Sequence, residues 1–250
     1  MIIFRSKRKP IYCNTYFKLN GILLKPKDSV KYLGMHIDKH LTWDTHILNL
    51  GKSLSRANGI LSKLRHYSPK AVCLNVYYAL FYSHLTYGAC VWGLTSEKNI
   101  KKIEVLQNKC ARILTFSDSR SSANPLYTSL GLLKVRDIFK FQQLNLAYDF
   151  DNNLLPDDLC QLFIRSTDMT TTNMTLGSHR NNLLKLPLVK TDHSGKKSLR
   201  FQCASVWNEF SSSTIKLNCT SSLDFNKING STHLKNLLKK HFKFMYTQHN

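Results

Sequence analysis

The sequence predicts an α+β protein, mostly α. A short N-terminal β-hairpin unit leads into a helical bundle, and a less regular C-terminal region follows. Three observations predict this. Residues 2–37 carry short apolar runs separated by turn signals. Residues 44–65 and 97–115 repeat their apolar residues at spacings of three and four. After Asp151 that period weakens. The boundaries expected are 1–40 for the strands, 41–150 for the helices and 151–250 for the rest.

The strands come first. IIF precedes a basic turn, RSKRKP. YFKLNGILL carries Asn20-Gly21, a hairpin signal because both residues tolerate positive φ. KPKDS is a second turn, and VKYLGMHI reads as the next strand, feeding a helix through Asp38-Lys39-His40. Such a unit is too short to bury its own faces, so it is expected to pack on something.

Residues 44–65 form the clearest helix. Ile47, Leu50, Leu54, Ala57, Leu61 and Leu64 make one stripe. Lys52, Arg56 and Lys63 lie opposite, at i, i+4 and i+11, with Gly59 in the same line. That ridge is about 16 Å long from the rise per residue. Thr42 or Asp44 can cap the helix start. The bland alternative is an ordinary solvated face, but no acid interrupts the ridge.

Ser68-Pro69 reads as an N-cap and first helical residue. Residues 70–88 then form an apolar helix, expected at the centre of the bundle. From Ala71 to Ser96 there is no Asp, Glu, Lys or Arg. The length suits a membrane span, but Asn75, Ser83, His84, Thr86 and four Tyr interrupt it. Ser96 can cap a helix over 97–115, with Ile100, Ile103, Gln107, Cys110 and Leu114 inward. Lys98, Lys101, Lys102, Lys109 and Arg112 gather on its other side.

SDSRSSANP is a polar linker, and a short turn leads to a helix around Val135, Ile138, Phe139, Gln142 and Leu146. Residues 165–182 read as a mobile loop, LLKLPLV as extended, and 198–210 as a helix. SSSTIKLNCTSS reads as a loop. STHLKNLLKKHFKFM reads as a last, basic amphipathic helix.

Of 250 residues, 36 are Lys or Arg against 15 Asp or Glu, a net charge of +21. This excess points to a polyanionic partner, with nucleic acid the commonest. The seven Cys are scattered singly, with no C-x-x-C and no zinc spacing, which argues against disulfides and for a reducing compartment. Triplets at Asn173, Asn218 and Asn229 match glycosylation acceptors, but MIIFRSKRK has no apolar core to make a signal peptide. The protein is not expected to be secreted. Nucleus and cytoplasm both stay open, since RSKRKP is only a weak localisation signal.

A search for chemistry finds little. No phosphate loop, dinucleotide fingerprint or nucleophile elbow occurs. His36 and His40 lack a neighbouring Glu and read as surface residues. Asp157-Asp158 is the one adjacent acidic pair, and such a pair can hold Mg²⁺. Here it follows Pro156, which marks a helix start whose first turn favours acids. Asp149 and Asp151 read as a helix end.

An ordered series of segments resembles the C-terminal end of the reverse transcriptase of non-LTR retrotransposons, of the jockey-like kind. It runs VKYLGMHIDKHLTWDTHI, KSLSRANGILSKLR, LNVYYALFYSHLTYGACVWG, LQNKCARIL, PLYTSLGLLKV and SVWNEF. The resemblance covers roughly residues 1–245. It implies that KYLG is the primer-grip hairpin at the end of the palm, so Tyr32, Leu33 and Gly34 are primer-grip positions. It implies that the helices after it form a thumb that holds template–primer duplex. The basic faces carry over only as general thumb surface: Lys52, Arg56, Lys63, Lys101, Lys102, Lys109 and Arg112.

The family's catalytic [FY]-x-D-D hairpin lies upstream of KYLG, and Asp28 is the only acid before Asp38. The resemblance therefore implies no catalytic residue and no Mg²⁺ site here, and a chain inactive alone. SSSTI stands where the family has a Pro-containing turn, and the zinc knuckle of some relatives is missing.

The function expected is non-specific binding of RNA and DNA, as template–primer duplex. An alternative is an interaction or scaffold protein that docks to a partner, either the missing polymerase domains or another protein, through the exposed side of the β unit. A third reading is a membrane-surface protein using the basic terminal helix.

Overall fold

The computed structural model describes residues 1–7, 17–166, 183–189 and 195–217, with side chains up to Ser211. Much of the expected loop over 165–182, half of the RSKRKP turn and the expected terminal helix lie outside the described residues. The chain divides into two compact units, Met1–Gly88 with Thr95–Ser121 and Ala89–Leu94 with Ser122–Asn250. As predicted, the fold is mostly helical with small antiparallel sheets at the start.

The first unit opens with two separate hairpins. Strands β1 (Phe17–Leu19) and β2 (Ile22–Leu24) pair antiparallel. Asn20 and Gly21 turn between them at φ 48° and 79°, as the Asn-Gly signal requires. Phe17, Leu19, Ile22 and Leu23 all stay exposed. Strands β3 (Ser29–Tyr32) and β4 (Met35–Asp38) form the second hairpin.

Two expectations are corrected here. VKYLGMHI is not one strand, because Leu33 and Gly34 both take positive φ, 45° and 77°, and reverse the chain. Ile2-Ile3-Phe4 joins no ladder. Backbone bonds instead tie its segment down, from Lys27 N–H to Met1 C=O at 2.8 Å and from Arg5 N–H to Lys39 C=O at 2.9 Å.

Helix α1 (Asp44–Leu64) follows. Neither Thr42 nor Asp44 caps it. Trp43 occupies the N-cap in a left-handed conformation, and Asp38 organises the entry from upstream. Its carboxylate accepts from the backbone N–H of His40, Thr42 and Trp43 and from the Thr42 hydroxyl, at 2.7–3.1 Å. Burial pushes the Asp38 carboxyl up, but these donors outweigh it and hold the group below its ordinary value. The expected stripe is buried except for Leu64, which is half-buried.

Helix α2 (Lys70–Val76), a π-helical turn (Tyr77–Tyr82) and α3 (Ser83–Thr86) run on without a break. Pro69 sits at the N-cap position rather than inside the first turn. This run is not buried all round, as its lack of charge suggested. It packs on α1 by one face only, through Cys73, Tyr77, Phe81 and Leu85, while Val72, Tyr78, Leu80 and Tyr87 face outward. The neighbouring helices do not wrap around it, so apolar composition alone overstated its burial.

Helix α5 (Glu97–Thr115) packs along α1, and its predicted inward residues are all buried. In the second unit, α4 (Ala89–Trp92) and α9 (Leu199–Leu217) pack on α7 (Val135–Asp151). Trp92 meets Phe139 edge-on at 5.0 Å. Gly93 must lack a side chain, since a Cβ there would collide with the Ala89 carbonyl and press on the Phe139 ring.

Helix α6 (Asn124–Leu130) replaces the expected turn, and Gly131 ends it at φ 65°. Around α7 the expected Val135, Ile138 and Phe139 are buried, but Gln142 and Leu146 are only half-buried, and Phe141, Gln143, Leu144, Ala147 and Tyr148 are buried instead. Asp157 and Asp158 stand in the first turn of the short α8 (Asp157–Cys160), as read from Pro156. Helix α9 runs through Ser211-Ser212-Ser213, which the sequence marked as a loop; Ser and Thr disfavour helix only weakly. LLKLPLV forms no strand: Leu184 makes an isolated antiparallel bridge with Arg165, and Asn208 grips it through both of its backbone groups at 2.8 and 2.9 Å.

Candidate nucleic-acid interface

The β3–β4 hairpin carries Tyr32, Leu33 and Gly34 to its tip. Tyr32 and Leu33 are 62% and 66% exposed. Leucine is strained in the left-handed region, and the turn has an outside support. The Tyr87 hydroxyl donates to the Leu33 carbonyl at 2.6 Å. The Tyr87 ring lies over Gly34, where a Cβ would come within 3.4 Å of Cε1. This supporting role of Tyr87 is not legible in the sequence, because the partner is 54 residues away.

Polar side chains fix α5 against α1. Asn99 Nδ2 donates to Asp44 Oδ1 at 2.7 Å, Asn58 Nδ2 to the Leu106 carbonyl at 3.0 Å, and Arg65 Nη1 to the Ile113 carbonyl at 3.1 Å. The Arg65 guanidinium also stacks 4.5 Å over the Phe116 ring. The two helices thus run in the same direction, and the exposed cations of both are held at fixed stations.

Lys52, Arg56 and Lys63 on α1 are exposed, as are Lys101, Lys102 and Lys109 on α5. Arg112 differs. It is half-buried, and its Nε donates to the Ser121 carbonyl at 2.9 Å, a tether for the chain leaving α5. Between the helices lies an open cleft of about 510 Å³. Lys52, Arg56 and Lys102 line it, together with Ser55 and an apolar floor that includes Leu48, Gly51 and Leu106. The structure therefore brings three of the predicted cations around one concavity. Lys63, Lys101, Lys109 and the hairpin tip do not line it.

The floor residues were missed. Their signal was available in part: Gly51 and Ser55, four residues apart, lie beside the cationic ridge. Among the described residues, no carboxylate pairs with Lys52, Arg56 or Lys102. No group of three His, Cys, Asp or Glu there could hold a metal ion. No described helix is long and apolar enough to cross a membrane.

Sequence comparison identifies relatives. Over 146 residues the chain is 27% identical to the RNA-directed DNA polymerase from mobile element jockey of Drosophila melanogaster. This stretch is 57% of the chain and 16% of that protein. The probable RNA-directed DNA polymerase from transposon X-element, of the same organism, is also 27% identical, over 143 residues. That match takes in 54% of the chain and 15% of the relative.

This chain is similar to RNA-directed DNA polymerases of mobile elements.

A third relative of this group, the probable polymerase from transposon BS, is 27% identical over 48% of the chain and 14% of its own length. The match spans about one sixth or less of each jockey-like polymerase. No protein-family model and no solved structure matches the chain.

Proposed function

We propose that this chain binds nucleic acid without sequence preference, as the thumb-like part of a jockey-like polymerase. The exposed cations of α1 and α5 would contact the phosphates of a template–primer duplex, with the β3–β4 tip beside the primer. The observation that carries this reading is the set of three cations, Lys52, Arg56 and Lys102, held around one acid-free cleft by two helices locked together. Phosphate contacts of this kind carry affinity but little sequence information. The relation to RNA-directed polymerases supports the choice of nucleic acid among polyanions.

The test is fluorescence anisotropy with an RNA–DNA primer–template across a salt series. Wild type is expected to bind with an affinity that falls steeply as salt rises. The variant carrying Lys52→Glu, Arg56→Glu and Lys63→Glu is expected to lose that binding, at least about tenfold. Equal binding by both proteins would leave only diffuse charge attraction and overturn the assignment to this ridge. Primer extension by the chain alone would overturn the restriction of its role to binding.

A further inference from the structure

The cleft between α1 and α5 has two chemistries at once, and a duplex can use only one of them. Its rim is cationic, from Lys52, Arg56 and Lys102. Its floor is apolar, from Leu48, which is 62% exposed, and from Leu106 across the open backbone at Gly51. A duplex presents phosphates outward and keeps its base faces stacked inside, so it meets the rim alone. An unpaired nucleotide offers an apolar base face and a phosphate on the same unit.

We propose that the α1–α5 cleft holds an unpaired nucleotide of a single strand, its base on the Leu48–Gly51–Leu106 floor and its phosphates against Lys52, Arg56 and Lys102. This deepens the nucleic-acid reading above and rests on it. The volume, about 510 Å³, lies in the range of ordinary small-ligand clefts. Base-face contact tolerates any sequence because every base has an apolar face. The absence of a lining carboxylate favours a polyanion over a neutral ligand. An acid-flanked apolar peptide shares the same two features, and the experiment separates it.

Gly51 gives a clean probe. Its Cβ position meets only the Leu106 Cδ1, at an ordinary 3.7 Å. Gly51→Leu therefore projects from a Cβ in ordinary contact only, and it replaces a poor helix former with a good one. The variant is expected to fold at least as stably as wild type, checked by thermal unfolding. Binding of labelled oligothymidylate and of a blunt DNA duplex would be compared by anisotropy.

The expected result is that Gly51→Leu loses about fivefold or more for oligothymidylate, roughly one kcal/mol, and keeps duplex affinity. Lys52→Glu with Arg56→Glu should lose both. If Gly51→Leu leaves oligothymidylate binding unchanged, the cleft assignment fails while the ridge reading stands. If the charge reversals leave both ligands bound, the ridge reading itself fails. Displacement of an acidic amphipathic peptide from the cleft by Gly51→Leu, with oligothymidylate unaffected, would assign the cleft to protein and overturn the proposal.

Discussion

Tyr87 holds the turn at Leu33 from the far end of a helical run. Its hydroxyl donates to the Leu33 carbonyl at 2.6 Å, so a side chain of the helical bundle supports a backbone bend that leucine does not favour. Tyr87→Phe keeps the ring against Gly34 and removes this bond. It is expected to destabilise the protein by about 1 kcal/mol, the net value of one such hydrogen bond. Urea unfolding measures it, and an unchanged midpoint would show the bond to be idle.

One substitution at two glycines should have opposite signs. Gly34 sits at φ 77° under the Tyr87 ring, so Gly34→Ala is expected to cost about 1–2 kcal/mol. Gly59 lies inside α1 at ordinary helical φ with nothing within 4 Å of its Cβ position. Gly59→Ala is expected to stabilise by about 0.5–1 kcal/mol. A loss at Gly59 would mean that a neighbour crowds this face in solution.

Asp38 should set an acid limit. Its folded carboxyl lies below the ordinary 3.8 because three backbone N–H groups and the Thr42 hydroxyl outweigh burial. The fold thus favours the ionised form. Its contribution is complete above 3.8 and is lost as pH falls through the folded value. Asp38→Asn is expected to weaken the protein at neutral pH by about 1–2 kcal/mol and to flatten the acid limb of its stability curve. An acid limb identical to wild type would exclude Asp38 as its source.

His46 acts at milder pH. Burial beneath the hairpin, and to a lesser degree the charge of His36, lower its pKa from 6.5. The His36 N–H also points to its Nδ1, at 3.5 Å. The fold favours the neutral ring, so this contribution is complete above 6.5 and declines as pH falls below it. Unfolding at about pH 7.5 and about pH 5 should show that decline in wild type. The same comparison in His46→Gln should show less of it. Equal declines would place the sensitivity elsewhere.

Much of this was legible locally. Asn20-Gly21 gave its turn, and the α1 and α5 stripes gave their buried faces, because period and turn chemistry are properties of neighbouring residues. The cations of the candidate site were legible for the same reason, as the polar side of those stripes. The cleft was not, because it exists only where Lys102 and Leu106 of one helix meet Lys52 and Gly51 of another. Arg112 was misjudged as a free surface cation for a related reason. Its acceptor, the Ser121 carbonyl, depends on how the chain leaves α5. The outward face of the 70–88 run failed on composition, since a charge-free segment need not be an enclosed one.

The π-helical turn has a consequence for how this run can change. An α-helix advances 100° per residue, so Cys73, Tyr77, Phe81 and Leu85, four apart, would drift by about 120° over their span. The wider turn at Tyr77–Tyr82 takes up that drift and keeps all four on α1. It acts as a phase correction in a screw. Deleting one residue within it would turn spacings of four, four and four into four, three and four, which evenly wound α-helix keeps on one face to within about 20°, so Tyr87 would keep its station beside Leu33. The loss of one residue inside 77–82 is therefore taken up by straightening the turn, whereas the same loss elsewhere in the run would rotate everything beyond it by about 100°.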